Sequence, residues 1–170
     1  MKFLSVTILT VLLFSSAAFG QTTSVYTGLT TKDCKAFTKP VEDGYIGICP
    51  GIAGYTLQLI EGDLRQTLNI VAPNKKKYEL ALWSNVSSGF SSLGAKAEWR
   101  MKGKAPVAVI IRFNAGENSE DSSKITSYLV VVKIAKTDVC IVNILKPSST
   151  QNIEARKLAD TPAKTSCQQF

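Results

Sequence analysis

Residues 125–145 read ITSYLVVVKIAKTDVCIVNIL, and this stretch decides the fold. Ile125 to Ala135 and Val139 to Leu145 are two runs rich in β-branched residues, joined by Lys136-Thr137-Asp138. Two such runs at hairpin spacing predict a pair of antiparallel strands. From Tyr128 to Ile134, and again from Val139 to Leu145, apolar residues fall on both faces, broken mainly by Lys133 and Asn143. A strand that is apolar on both faces must be covered on both sides.

The segment that follows supplies one cover. Pro147-Ser148-Ser149-Thr150 opens a helix with Ser149 or Thr150 as N-cap, although no Glu completes a capping box. Ala155, Leu158, Ala159 and Pro162 follow the i, i+3, i+4, i+7 spacing of one narrow apolar face, and Pro162 closes the helix. The second cover is either a curled sheet or the 73–94 connection. Upstream, short strand patterns recur at Tyr45 to Cys49, Tyr55 to Ile60 and Leu64 to Val71, the last two flanking a Glu61-Gly62-Asp63 corner. Tyr78 to Trp83 reads as a strand or one helical turn. Lys96 to Lys102 and Val107 to Phe113 flank Gly103-Lys104-Ala105. Gln21 to Ser24 is a polar lead-in, and Thr30 to Cys34 a short helical turn. The expectation is an α+β fold: an antiparallel β meander of about seven strands, strongly curved, with a C-terminal helix packed on it.

The first twenty residues set the compartment. Lys2 is followed by the apolar run Phe3 to Phe14, and small residues lead to Ala18-Phe19-Gly20 before Gln21. That pattern predicts a signal peptide over 1–20, exporting a single disulfide-stapled domain over 21–170 to the periplasm or the medium. No further segment has the length of a membrane span. Without those twenty residues, 19 basic side chains face 13 acidic ones, a formal charge of +6. Such a surface favours anionic neighbours (a glycan, a cell-wall polymer, a lipid surface), and the compartment argues against nucleic acid.

The chain has no histidine. Ser-His-Asp and Cys-His chemistry are thereby excluded, and the commonest metal ligand is missing. Cys34, Cys49, Cys140 and Cys167 have no closely spaced pair, so disulfides rather than a metal account for them. A strand from 139 to 146 spans about 25 Å, and a helix of about 13 residues from 150 returns roughly 20 Å. Cys167 then arrives near Cys140, leaving Cys34 for Cys49; the other two pairings stay open. No motif for a metal or a cofactor is present.

Three groups of residues carry candidate chemistry. From 96 to 104, Lys96, Glu98, Arg100, Lys102 and Lys104 alternate with Ala97, Trp99 and Met101. One wet, basic strand face about 26 Å long is expected, with Trp99 turned to the core. Lys75, Lys76 and Lys77 from a neighbouring loop extend it into a patch for an anionic partner. Edge protection by lysines is the plain alternative. Glu61, Asp63 and Glu98 are the carboxylates from which a histidine-free hydrolase would be built, although Glu61-Gly62-Asp63-Leu64-Arg65 also reads as a hairpin corner with Gly62 at positive φ. Loops 84–94 and 114–124 are candidates for presenting an inhibitory surface to a secreted hydrolase.

Several short segments form a pattern along the chain. Tyr45-Ile46-Gly47-Ile48-Cys49-Pro50-Gly51, Gly54-Tyr55, Glu61-Gly62-Asp63-Leu64-Arg65 and Glu98-Trp99-Arg100 are followed by Cys140 and then Ala155-Arg156-Lys157-Leu158-Ala159-Asp160. In them the chain resembles a family of small exported bacterial proteins with Cys-Pro-Gly, Glu-Gly-Asp-x-Arg and Glu-Trp-Arg segments. The resemblance implies a periplasmic location and carries no activity or catalytic residue. The leading functional expectation is a non-enzymatic module binding an anionic envelope or extracellular partner; the alternatives are the hydrolase inhibitor and the carboxylate hydrolase.

Overall fold

The computed structural model describes residues 21–36, 44–118, 120–121, 123–135 and 138–162. Among these residues ten strands and two helices follow in order: β1 Thr22–Gly28, β2 Lys35–Ala36, β3 Gly44–Pro50, β4 Thr56–Gly62, β5 Arg65–Val71, β6 Lys77–Glu79, α1 Leu82–Asn85, β7 Phe90–Lys102, β8 Ala105–Gly116, β9 Ile125–Ile134, β10 Val139–Leu145 and α2 Gln151–Asp160. The α+β class stands. The simple seven-strand meander does not, because the sheet has ten strands and is mixed and open.

Its order is β10-β9-β8-β7-β5-β4-β3-β2, with β1 on β7 and β6 on β5. Residues 72–89 carry the chain across, so that β7 lies parallel to β5, touching it at Arg65↔Ser91. Beyond that point β1 takes over the same edge of β7, from Gly28↔Lys96 to Thr22↔Lys102. The segment read as a polar lead-in is therefore the start of a strand. β6 and α1 divide the 78–83 stretch, so it holds both a strand end and a helical turn rather than one of the two.

The two halves of the sheet fold over one core. Leu57, Leu59, Leu68 and Ile70 from β4 and β5 join Trp99, Val109, Ile111, Phe113, Val130 and Val132 from β7 to β9. Leu80 and Leu82 complete this layer, so the curled sheet and the connection both provide the inner cover. Successive residues of a strand point to opposite faces. Ala108, Ile110, Leu129, Val131 and Val142 accordingly form a second, outer layer beneath Ala155 and Ala159 of α2. The helix covers the sheet face as expected, with ten residues rather than about thirteen.

Cys34 and Cys49 are disulfide-bonded, tying the turn after β1 to the end of β3. Cys140 is also in a disulfide; its expected partner Cys167 lies outside the described residues, as does the 1–20 segment. Among the described residues no helix is long and apolar enough to cross a membrane.

Candidate functional site

The basic face of β7 is not the open line that alternation implies. Lys96, Lys102 and Lys104 are exposed, whereas Arg100 is only 7% exposed. Its guanidinium forms a bidentate pair with Asp160 at the end of α2, at 2.8 and 2.6 Å. It also donates to the Ser24 hydroxyl. Glu98 accepts two hydrogen bonds from Arg156, at 2.7 and 3.1 Å, and a third from Ser24 at 2.6 Å. Burial works to raise the Glu98 carboxyl, but the hydrogen bonds from Arg156 and Ser24, with the Arg156 and Arg100 charges, outweigh it and hold the group below its ordinary value.

These ion pairs mount the helix. The face of α2 turned to the sheet buries only Gln151, Ala155 and Ala159, which give little apolar area. Gln151 donates to the carbonyls of Ser127 and Leu145, fixing the N-terminal end. At the other end the buried Lys133 ammonium donates to the Ala159 and Thr161 carbonyls, a cation at a helix C-terminus. Arg100 thus belongs to the scaffold. Spacing along one strand could not show that Arg156 and Asp160 descend onto it.

Lys96 lies within β7 opposite Gly28, and the other patch lysines are divided between two hairpins. Lys75, Lys76 and Lys77 are exposed on the β5–β6 turn, with Lys76 4.5 Å from the centre of the Tyr78 ring and Lys77 paired to Glu79 at 2.8 Å. Lys102 and Lys104 sit on the β7–β8 turn. The three carboxylates are also partnered: Glu61 with Gln66, Asp63 with Arg65, and Glu98 as above. None of them lines the groove that opens elsewhere.

That groove, of about 900 Å³, lies at the opposite end of β7 from its lysine-bearing turn. The β4–β5 turn, residues 87–92, the end of β8 and the start of β9 enclose it, so the 84–94 and 114–124 loops meet there. Leu64, Phe90 and Ile125 line it and are 67%, 59% and 55% exposed. Glu117 supplies a carboxylate, which receives the Tyr128 hydroxyl at 3.0 and 2.9 Å. Burial pushes this carboxyl up, while hydrogen bonds from Tyr128, Thr126 and Ser87 prevail and keep it below the ordinary glutamate value.

Leu64 is out of place for folding. Gly62 pairs with Arg65, and the two residues between them, Asp63 and Leu64, have φ of 52° and 56°. The left-handed turn thus sits one residue beyond the expected Gly62. A two-residue hairpin turn with both φ positive favours Asn and Gly, and a branched side chain there is disfavoured by about 1–2 kcal/mol. Leu64→Asn is expected to stabilise the protein by about 0.5–1 kcal/mol, read as a higher urea midpoint with an unchanged slope. The sequence signal for the groove was present in this form: large apolar residues at turn and loop positions, where folding does not call for them.

Family models, curated proteins and solved structures give no match to this chain. The functional reading rests on the geometry.

Proposed function

We propose that this chain is an exported, non-catalytic binding module whose working face is the groove at the start of β7. One observation carries the reading: among the described residues, three of the six exposed large hydrophobic side chains converge on that groove. Scattered exposed apolar residues are ordinary, but a cluster around a concavity with a few polar groups has the composition of a binding site. Export is supported by the pattern of the first twenty residues and by the Cys34–Cys49 disulfide, which persists in oxidising compartments. An anionic partner on the strand face has weaker support, because Arg100 is engaged within the chain and the lysines are dispersed. The inhibitor reading keeps a place, since both loops it named border the groove.

An apolar fluorescent dye provides the test. The folded exported chain is expected to bind it, and Phe90→Ser combined with Ile125→Ser to lose most of the signal without loss of fold. Lys102→Gln combined with Lys104→Gln should leave the signal intact. Equal dye binding by all three proteins rejects the groove as the working face. Salt-sensitive adhesion to peptidoglycan or anionic vesicles that disappears only in the lysine variant transfers the function to the basic residues.

A further inference from the structure

The register across three strands shapes the floor of the groove. Phe90 lies opposite Gly116, and Gly116 lies opposite Ile125. Residues directly opposite one another project to the same face of a sheet. Phe90 and Ile125 therefore stand as two walls about 10 Å apart, two strand spacings, with no side chain between them. A Cβ on Gly116 would meet the Phe90 carbonyl oxygen at 3.6 Å and the Ile125 Cδ1 at 3.8 Å, both ordinary contacts. Gly116 leaves open a trough that a side chain would fill. Next along the floor, Ser92 and Asn114 form a polar pair, and Leu64 stands at the other edge of β7.

The charges in and around the trough are unequal. Arg65, the cation among its lining residues, is paired with Asp63. Arg112, four residues before Gly116, is turned towards Ser127, Gln151 and Asn152. Lys124 pairs with Asp121 at 3.6 Å, and Lys146 exerts a charge effect on Glu117 from outside the lining. Glu117 itself accepts from hydroxyls and forms no ion pair among the described residues. Glu120 and Asp121 follow it on the same loop.

We propose that the trough receives an extended polypeptide segment carrying a lysine or arginine beside apolar side chains. An apolar side chain of the segment sits between Phe90 and Ile125 over Gly116, and its cation reaches Glu117. Ser92 and Asn114 before Gly116, and Asn118 after Glu117, line the groove and retain donors for the segment's backbone, the arrangement by which extended peptides are read. Charge complementarity selects the cation: a carboxylate that forms no ion pair among the described residues, with Glu120 and Asp121 following on the same loop, attracts positive charge and repels negative. This inference rests on the groove being the binding face.

Fluorescein-labelled ten-residue peptides of alternating leucine and serine, with lysine, glutamine or glutamate at two central positions, test it by anisotropy on the full exported chain. The lysine peptide is expected to bind at least tenfold more tightly than the glutamate peptide. Glu117→Gln should reduce that preference at least fivefold while leaving the glutamine peptide's affinity alone. Gly116→Leu should weaken all three peptides at least tenfold, with Phe90→Ser, an exposed wall position, as the second variant. Lys104→Gln is the control and should change nothing. Equal affinity for the lysine and glutamate peptides, or no effect of Glu117→Gln, overturns the cationic segment and leaves the groove standing. Peptide binding that neither Gly116→Leu nor Phe90→Ser disturbs overturns the groove as well. No binding of any peptide by the wild type overturns the polypeptide occupant, with the dye result then deciding the groove.

Discussion

Trp99→Ala is expected to destabilise the protein by about 4 kcal/mol, the largest effect of any single substitution considered. Trp99 is fully buried and lies where the two halves of the sheet meet. Its ring centre is 6.2 Å from that of Tyr55 beside β4, at a tilt of 50°. Its indole N–H donates to the Thr27 hydroxyl on β1 at 2.9 Å. Truncation removes the ring from the core, leaves a cavity between halves that cannot fully collapse, and strands the Thr27 hydroxyl. Against a total stability on the order of 5–15 kcal/mol, that is a large share. The measurement is a urea midpoint with an unchanged slope. Trp99→Phe should lose roughly half as much, because the ring volume is mostly retained. An alanine variant within about 1 kcal/mol of wild type would falsify the two-layer core.

Arg100→Ala comes second, at about 3 kcal/mol. The substitution removes both hydrogen bonds to Asp160 and leaves Glu98 with Arg156 and Ser24 as its partners. The loss falls short of the largest values for broken buried pairs because Asp160 retains about a third of its exposure to water. Since α2 presents mainly alanines to the sheet, helical ellipticity should melt before the sheet signal. Arg100→Met together with Asp160→Leu should recover part of the loss, as replacing both partners commonly does. Acid acts on the same mounting. The folded Glu98 carboxyl titrates below its ordinary value of 4.5. Its contribution is therefore complete above that value and is lost as the pH falls through the lower, folded one. Helical signal should fade on acidification below about pH 4.5, and Glu98→Gln should begin nearer to that state at neutral pH.

The hairpin of 125–145 was legible because burial on both faces leaves only one kind of solution, and the helix that covers it announced itself by an alanine stripe and Pro162. The β1 strand was not. Thr22–Gly28 has a weak pattern of its own, and its strand character comes from pairing with β7 far along the chain. The parallel contact of β5 with β7 was equally hidden, since it depends on where residues 72–89 deposit the chain. For the site, alternation correctly assigned Trp99 to the core but took Glu98 and Arg100 for solvent-facing charges. Both sides of a strand can be dry when a helix brings charges of its own. The groove was legible only in pieces: Phe90 and Ile125 lie 35 residues apart in sequence, and the register through Gly116 is what makes them face each other.

The pairing of β1 with β7 has a consequence for the order in which the chain can fold. Arg100 reaches back to the Thr22 carbonyl across 78 residues, so the segment that emerges early from the N-terminal end waits for a partner made much later. Closing so long a loop is entropically slow, and topologies dominated by such contacts fold slowly. During that interval the β7 edge from Lys96 to Lys102 is an unpaired strand, able to accept another chain in place of β1. The lysines at its two ends, Lys96 and Lys102, then act as gatekeepers: they repel a second copy of the same basic strand until Thr22–Gly28 docks.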